Sequence, residues 1–156
     1  MLFRSAEDLP AAFKAAVAYD SIVLAERAIN GPDITCGIVG KHVLPLIRVE
    51  IGTEFFTYEA KYQRSDTVYH CPSGLAPDLE KRIQALAVKA FELLDCRGWG
   101  RVDFMLDEKT NSPYALEVNT APGMTGTSLM PRAAKTFGWS FDDLVLHIME
   151  ASYESR

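Results

Sequence analysis

Residues 96–132, CRGWGRVDFMLDEKTNSPYALEVNTAPGMTGTSLMPR, constrain this chain more than any other stretch. Residues 99–106 alternate, with Arg101, Asp103 and Met105 on one face of an extended strand and Val102, Phe104 and Leu106 on the other. Residues 113–119 alternate too, with Ala115, Glu117 and Asn119 on one side and Tyr114, Leu116 and Val118 on the other. The intervening DEKTNS is rich in turn formers, which predicts an antiparallel hairpin. A turn centred near Thr110 sets Asp103 opposite Glu117 and Arg101 opposite Asn119, all on one face.

Two carboxylates and a neutral amide, without imidazole or thiolate, make an oxygen-donor set for a hard cation. Mg²⁺ fits such a set and Zn²⁺ does not. Mg²⁺ keeps waters and takes further oxygens from substrate phosphates, so an arginine beside the acids suggests a bound nucleotide. The same spacing also suits a solvated face on which acids and a base pair off, at about 0–1 kcal/mol per exposed pair. Residues 120–128, TAPGMTGTS, follow as a loop of small residues ahead of a helix that starts near Ser128 and ends at Gly138. Gly123 and Gly126 allow close backbone approach, and the helix start offers N–H groups to an anion.

The chain's 156 residues suffice for one compact domain with a sizeable core, and 48% hydrophobic and 24% charged residues are ordinary for a globular protein. A net charge of −5 without a basic run argues against nucleic acid as a partner. Cys36, Cys71 and Cys96 are odd in number and lack a CxxC spacing, so they suggest neither a disulfide framework nor a zinc cluster. His42, His70 and His147 are scattered and read as structural or surface residues. No signal peptide and no run of about 18 apolar residues is apparent, so a cytoplasmic location without membrane association is expected.

Ser5 and Asp8 approach a capping box, ahead of an apolar stripe of Leu9, Phe13, Ala16 and Val17, so residues 1–20 read as a leading helix. Residues 21–25, SIVLA, read as a buried strand running into the turn Asn30-Gly31-Pro32, and the stretch after it could offer its backbone to a flat heterocycle. Residues 34–39 and 43–50 read as two strands joined by Gly40-Lys41-His42. Residues 52–69 lack clean periodicity, as functional loops often do. Within them YEAKY sets the ammonium of Lys61 beside the phenol of Tyr62, which also describes a solvated lysine between packed tyrosines. Residues 76–94 form the clearest helix, with Leu79, Ile83, Leu86, Ala87, Ala90, Phe91 and Leu94 at helical spacing. Ser140 caps a last helix with Asp143 at its third position, and residues 152–156 are expected to fray.

RGWGRVDFMLDE, LEVNTAPGMTGTSL and YEAKY resemble the D-alanine–D-alanine ligases of the ATP-grasp superfamily, over roughly residues 21–150. The resemblance implies an α+β fold of ATP-grasp type, an antiparallel sheet packed with helices. It further implies that residues 1–156 are the C-terminal part of the ATP-grasp domain, lacking the N-terminal domain and the first ATP-binding lobe with its phosphate lysines. The implied reaction joins two D-alanines at the expense of ATP through an acyl phosphate, for peptidoglycan precursors, in an enzyme that is a homodimer at full length.

By residue-for-residue carry-over, Asp103, Glu117 and Asn119 would hold Mg²⁺, with Mn²⁺ as a substitute. Arg101 and the Gly123 N–H would stabilise an oxyanion. Ser128 and the Leu129 backbone would take the second substrate's carboxylate. Glu26, Arg27 and Ile29 would contact adenine, with Arg27 in place of the usual lysine, and Asp33 stands where glutamate is usual. Lys61 would contact phosphates or substrate carboxylate from a mobile loop, and Tyr62 matches the dipeptide-forming type. The alternatives are an inactive nucleotide-binding or structural fragment, and a different carboxylate–amine ligase, which YEAKY and NTAPGMTGTSL disfavour.

Overall fold

The computed structural model describes residues 5–51 and 67–154. Within them six strands make one antiparallel sheet: β1 (Asp33–Val39), β2 (His42–Val43), β3 (Ile47–Ile51), β4 (Thr67–His70), β5 (Trp99–Asp107) and β6 (Ser112–Asn119). The spatial order is β4-β3-β1-β5-β6, with β2 paired to β1. Among the described residues four α-helices accompany it: α1 (Leu9–Val17), α2 (Pro77–Leu93), α3 (Leu129–Phe137) and α4 (Phe141–Glu154). The expected α+β architecture is thus present.

Strand alternation divides the core in two. Ile34, Cys36 and Ile38 of β1 and Val102, Phe104 and Leu106 of β5 face Ile83, Ala87 and Phe91 of α2. On the other face Val39, Ile47 and Val49 meet Met130, Ala133 and Ala134 of α3 and Leu144 and Ala151 of α4. Gly37 makes this second contact possible, because a Cβ there would lie 2.8 Å from Met130 Sδ. Helices α3 and α4 therefore cover the Gly37–Val39 end of that face and leave the Asp33–Thr35 end to the cavity described below.

Helix α3 starts after Ser128 and ends where the sequence stops it, at Gly138 in the left-handed region at φ 103°. Ser140 and Asp143 close a reciprocal cap on α4: the Ser140 N–H donates to the Asp143 carboxylate at 2.9 Å, and the Asp143 N–H to Ser140 Oγ at 3.1 Å. Helix α4 continues through Glu154, so Ser152 and Tyr153 are helical where fraying was expected, and Ser152 Oγ donates to Ile148 O at 2.7 Å.

Four further expectations are corrected. Residues 21–25 form no strand, and Ile22 and Leu24 are exposed. The backbone bonds to the sheet come later, just before β1, where the N–H groups of Leu106 and Glu108 donate to Pro32 O (3.1 Å) and Asn30 O (3.0 Å). An apolar run without a neighbouring ladder has nothing to be buried against. Likewise the Leu9, Phe13 and Val17 stripe of α1 is exposed.

Residues 43–50 are not one strand, because Pro45 lacks the N–H that a ladder needs. The buried Leu44 and Leu46 around it bond to α2 instead, Gln84 Nε2 donating to Leu44 O at 3.2 Å and the Leu46 N–H to Glu80 Oε1 at 3.4 Å. Finally, Thr67–His70 is a strand rather than part of a long loop, pairing with β3.

Candidate active site

The β5–β6 register brings Asp103 opposite Glu117 and Arg101 opposite Asn119. This is the pairing that alternation and the turn predict. Arg101 forks onto Asp103 through two 2.8 Å bonds, Nε to Oδ1 and Nη2 to Oδ2. Thr35 on β1 donates its hydroxyl to Asp103 Oδ1 at 2.5 Å, and Asn119 Nδ2 donates to Asp103 Oδ2 at 2.9 Å and Glu117 Oε1 at 3.4 Å. Asp103 is thus held by three neighbours on three strands.

Two carboxylates and one guanidinium meet at this point. Arg101 forks onto Asp103, and Glu117, exposed on β6, accepts a 3.4 Å bond from the Asn119 amide. Like charges facing one another across strands are unfavourable unless a cation joins them. Asp103, Glu117 and Asn119 would offer oxygens to a hard divalent ion once the Arg101 fork on Asp103 opens and Asn119 turns its amide oxygen toward the acids in place of Nδ2.

One irregularity reshapes the face. Asp103 pairs with Glu117 but Phe104 pairs with Ala115, so Leu116 is an extra residue, a β-bulge. Beyond it the alternation inverts, and Tyr114 comes opposite Met105 and Ala115 opposite Phe104. The expected sides of Tyr114 and Ala115 are therefore exchanged. Leu116 itself turns toward a cavity of about 280 Å³ lined by Asp33, Thr35, Arg101, Asp103, Glu117 and Leu129, with Val49, Met105, Thr67 and Tyr69 among its other walls. A partly apolar cavity with an acid cluster at one side suits a flat base and its phosphates.

The start of α3 opens on the same cavity through Leu129. Ser128 gives that helix no side-chain cap; its Oγ instead accepts the Thr125 N–H at 3.0 Å and lies 2.8 Å from Thr125 Oγ1. The first N–H groups of α3 are consequently not capped by Ser128, as an anion site requires. Gly123 leaves room for that hydroxyl, since a Cβ there would approach Ser128 Oγ to 3.1 Å.

Residues 2–150 match the family model described as the D-ala D-ala ligase C-terminus. The chain belongs to this family. It is 50% identical over 143 residues to D-alanine--D-alanine ligase B of Chromobacterium violaceum, covering 92% of this chain and 47% of that relative. It is 47% identical over all 156 residues to the D-alanine--D-alanine ligase of Nitrosococcus oceani, covering 49% of that protein. This member of the ligase family thus spans about half the length of the curated relatives it matches. Among solved structures, the Bacillus anthracis D-alanine--D-alanine ligase complexed with ATP superposes with a TM-score of 0.79 at 32% identity, over 99% of this chain and 50% of that one. The D-Ala:D-Ser ligase VanG of Enterococcus faecalis superposes with a TM-score of 0.79 at 31% identity, over 94% of this chain and 43% of that one.

Within the ligase-family chain, Arg101, Asp103, Glu117 and Asn119 come together, and Asp33 and Leu129 line the same cavity as Arg101, Asp103 and Glu117, with Asn119 outside that lining. Gly123 and Ser128 lie in the loop that leads into α3. Glu26, Arg27 and Ile29 lie in the irregular stretch before β1, outside the cavity lining, and Arg27 pairs with Asp107 at 3.5 Å. Lys61 and Tyr62 lie outside the described residues. Thr35 and Leu116 were not apparent in the sequence: the first is a candidate only once β1 is known to pair with β5, the second only once the bulge is seen.

Proposed function

We propose that this chain is the catalytic face of an ATP-dependent ligase that joins two D-alanines, working with a first half like that of its relatives. The observation that carries the reading is the pairing of Asp103 with Glu117 and Arg101 with Asn119, with Arg101, Asp103 and Glu117 lining one cavity beside a helix start. The family and the ATP complex of a 32% identical structure support it.

In this reading the carboxylate of one D-alanine attacks the γ-phosphate of ATP, releasing ADP, and the amine of the second attacks the acyl phosphate, releasing phosphate. Asp103, Glu117 and Asn119 hold Mg²⁺, or Mn²⁺ in its place. When bound, the ion neutralises charge on the phosphates. Asp103 is kept in position for this by Thr35 and Arg101. Arg101 and the Gly123 N–H stabilise the oxyanion of the tetrahedral species, where removing one donor costs about 3–4 kcal/mol of barrier.

Ser128 and the Leu129 N–H receive the second substrate's carboxylate at the positive end of α3. Glu26, Arg27 and Ile29 hold adenine, Asp33 supports that end of the site, Lys61 contacts phosphate or carboxylate, and Tyr62 selects the amine as acceptor. A cytoplasmic homodimer supplying peptidoglycan precursors completes the proposal.

D-alanine-dependent phosphate release from Mg²⁺ and ATP by the full-length protein tests it. Release that requires D-alanine supports ligation, and ATP hydrolysis indifferent to D-alanine contradicts it.

A further inference from the structure

Arg27 is held by two side chains of the β5–β6 hairpin that lie outside the cavity lining. Its guanidinium is 3.5 Å from Asp107 Oδ2 and 5.4 Å from the centre of the Tyr114 ring. The other Asp107 oxygen accepts N–H bonds from Lys109 and Thr110, each 3.0 Å long, so the carboxylate is fixed by its own turn. Tyr114 comes onto this face because the Leu116 bulge inverts the alternation beyond it.

The backbone is tied down beside the same hairpin, from Asn30 O to the Glu108 N–H and from Pro32 O to the Leu106 N–H. Gly31 between them permits the approach, since a Cβ there would lie 1.9 Å from Leu106 O. Residues 27–32 are thereby clamped by one ion pair, one cation–π contact and two backbone bonds. Asp33 and Met105, which line the cavity, are the chain neighbours of Pro32 and Leu106, so the clamped stretch stands at the cavity rim.

We propose that Asp107 and Tyr114 are positioning residues for ATP: through Arg27 they fix residues 26–30 at the rim of the cavity and so set the affinity for the nucleotide. The inference rests on the ligase reading above. Arg27 is exposed, so the contacts are of modest strength, and losing one of them should weaken ATP binding about two- to fivefold.

Tyr114→Leu removes the ring, and Asp107→Asn removes the charge while keeping an acceptor for the turn. In the full-length protein each should raise the KM for ATP about two- to fivefold and leave kcat and the KM for D-alanine within about twofold. Tyr114→Phe, which keeps the ring, should keep the wild-type KM. Adding Tyr114→Leu to Arg27→Ala should raise the KM no further, because both act through one contact. If Tyr114→Leu lowers the unfolding midpoint, Asp107→Asn carries the comparison.

An unchanged KM for ATP, additive effects with Arg27→Ala, or a fall in kcat of the same size would overturn the positioning role and leave the ligase reading standing. A wild-type protein that neither binds nor turns over ATP would overturn that reading and this inference together.

Discussion

The hydroxyl of Thr35 donates to Oδ1 of Asp103 at 2.5 Å, across the β1–β5 pairing and 68 residues along the chain. Thr35 is buried, and its bond is one of those that hold the Asp103 carboxylate. Thr35→Val keeps the shape and removes the donor. Because hydrogen bonds to charged groups contribute about 1.5–3 kcal/mol, the variant should lose roughly that much stability in urea unfolding. Unfolding at the wild-type midpoint would show that Arg101 and Asn119 suffice.

Gly31 has φ +150°, and a Cβ on it would meet Leu106 O at 1.9 Å. Gly31→Ala must therefore displace the stretch before β1 from the sheet. A strained backbone position costs about 1–3 kcal/mol, which should appear as a lower thermal midpoint. Amide exchange at Glu108, whose N–H bonds to Asn30 O, should quicken in the same variant.

The Asp143 carboxyl is held below the usual aspartate range, chiefly by the Ser140 hydroxyl and then by the Ser140 N–H, with His147 adding a smaller attraction. A lowered folded-state value means a contribution that is present above the ordinary aspartate value and lost as pH falls through the folded one. Asp143→Asn should therefore flatten the acid limb of the stability profile, below the ordinary aspartate range, and leave it unchanged in shape near neutrality. Chemical denaturation at a series of pH values checks this, and an unaltered acid limb would count against the cap.

The hairpin was legible because alternation and a turn-rich interval are local signals, and they placed Asp103 against Glu117 without any knowledge of the other strands. The Leu116 bulge was not, since YALEV continues to alternate in type while its backbone does not. The β1–β5 pairing joins residues 33–39 to 99–105, a non-local choice that periodicity does not encode, and with it Thr35 was missed. Pro45 was a visible signal for the break between β2 and β3. Residues 21–25 were misread because an apolar run indicates a need for burial, whereas burial itself depends on a neighbour.

The most direct measurement is Mg²⁺-dependent, D-alanine-dependent ATP turnover by Glu117→Gln in the full-length protein, with unfolding followed on the same sample. The substitution keeps volume and removes the charge that would bind the cation. A cation ligand contributes several kcal/mol, so turnover should fall by more than about a hundredfold while the unfolding midpoint stays at the wild-type value. Turnover near the wild-type rate from a folded variant would contradict the cation site, and with it the account of this face as catalytic.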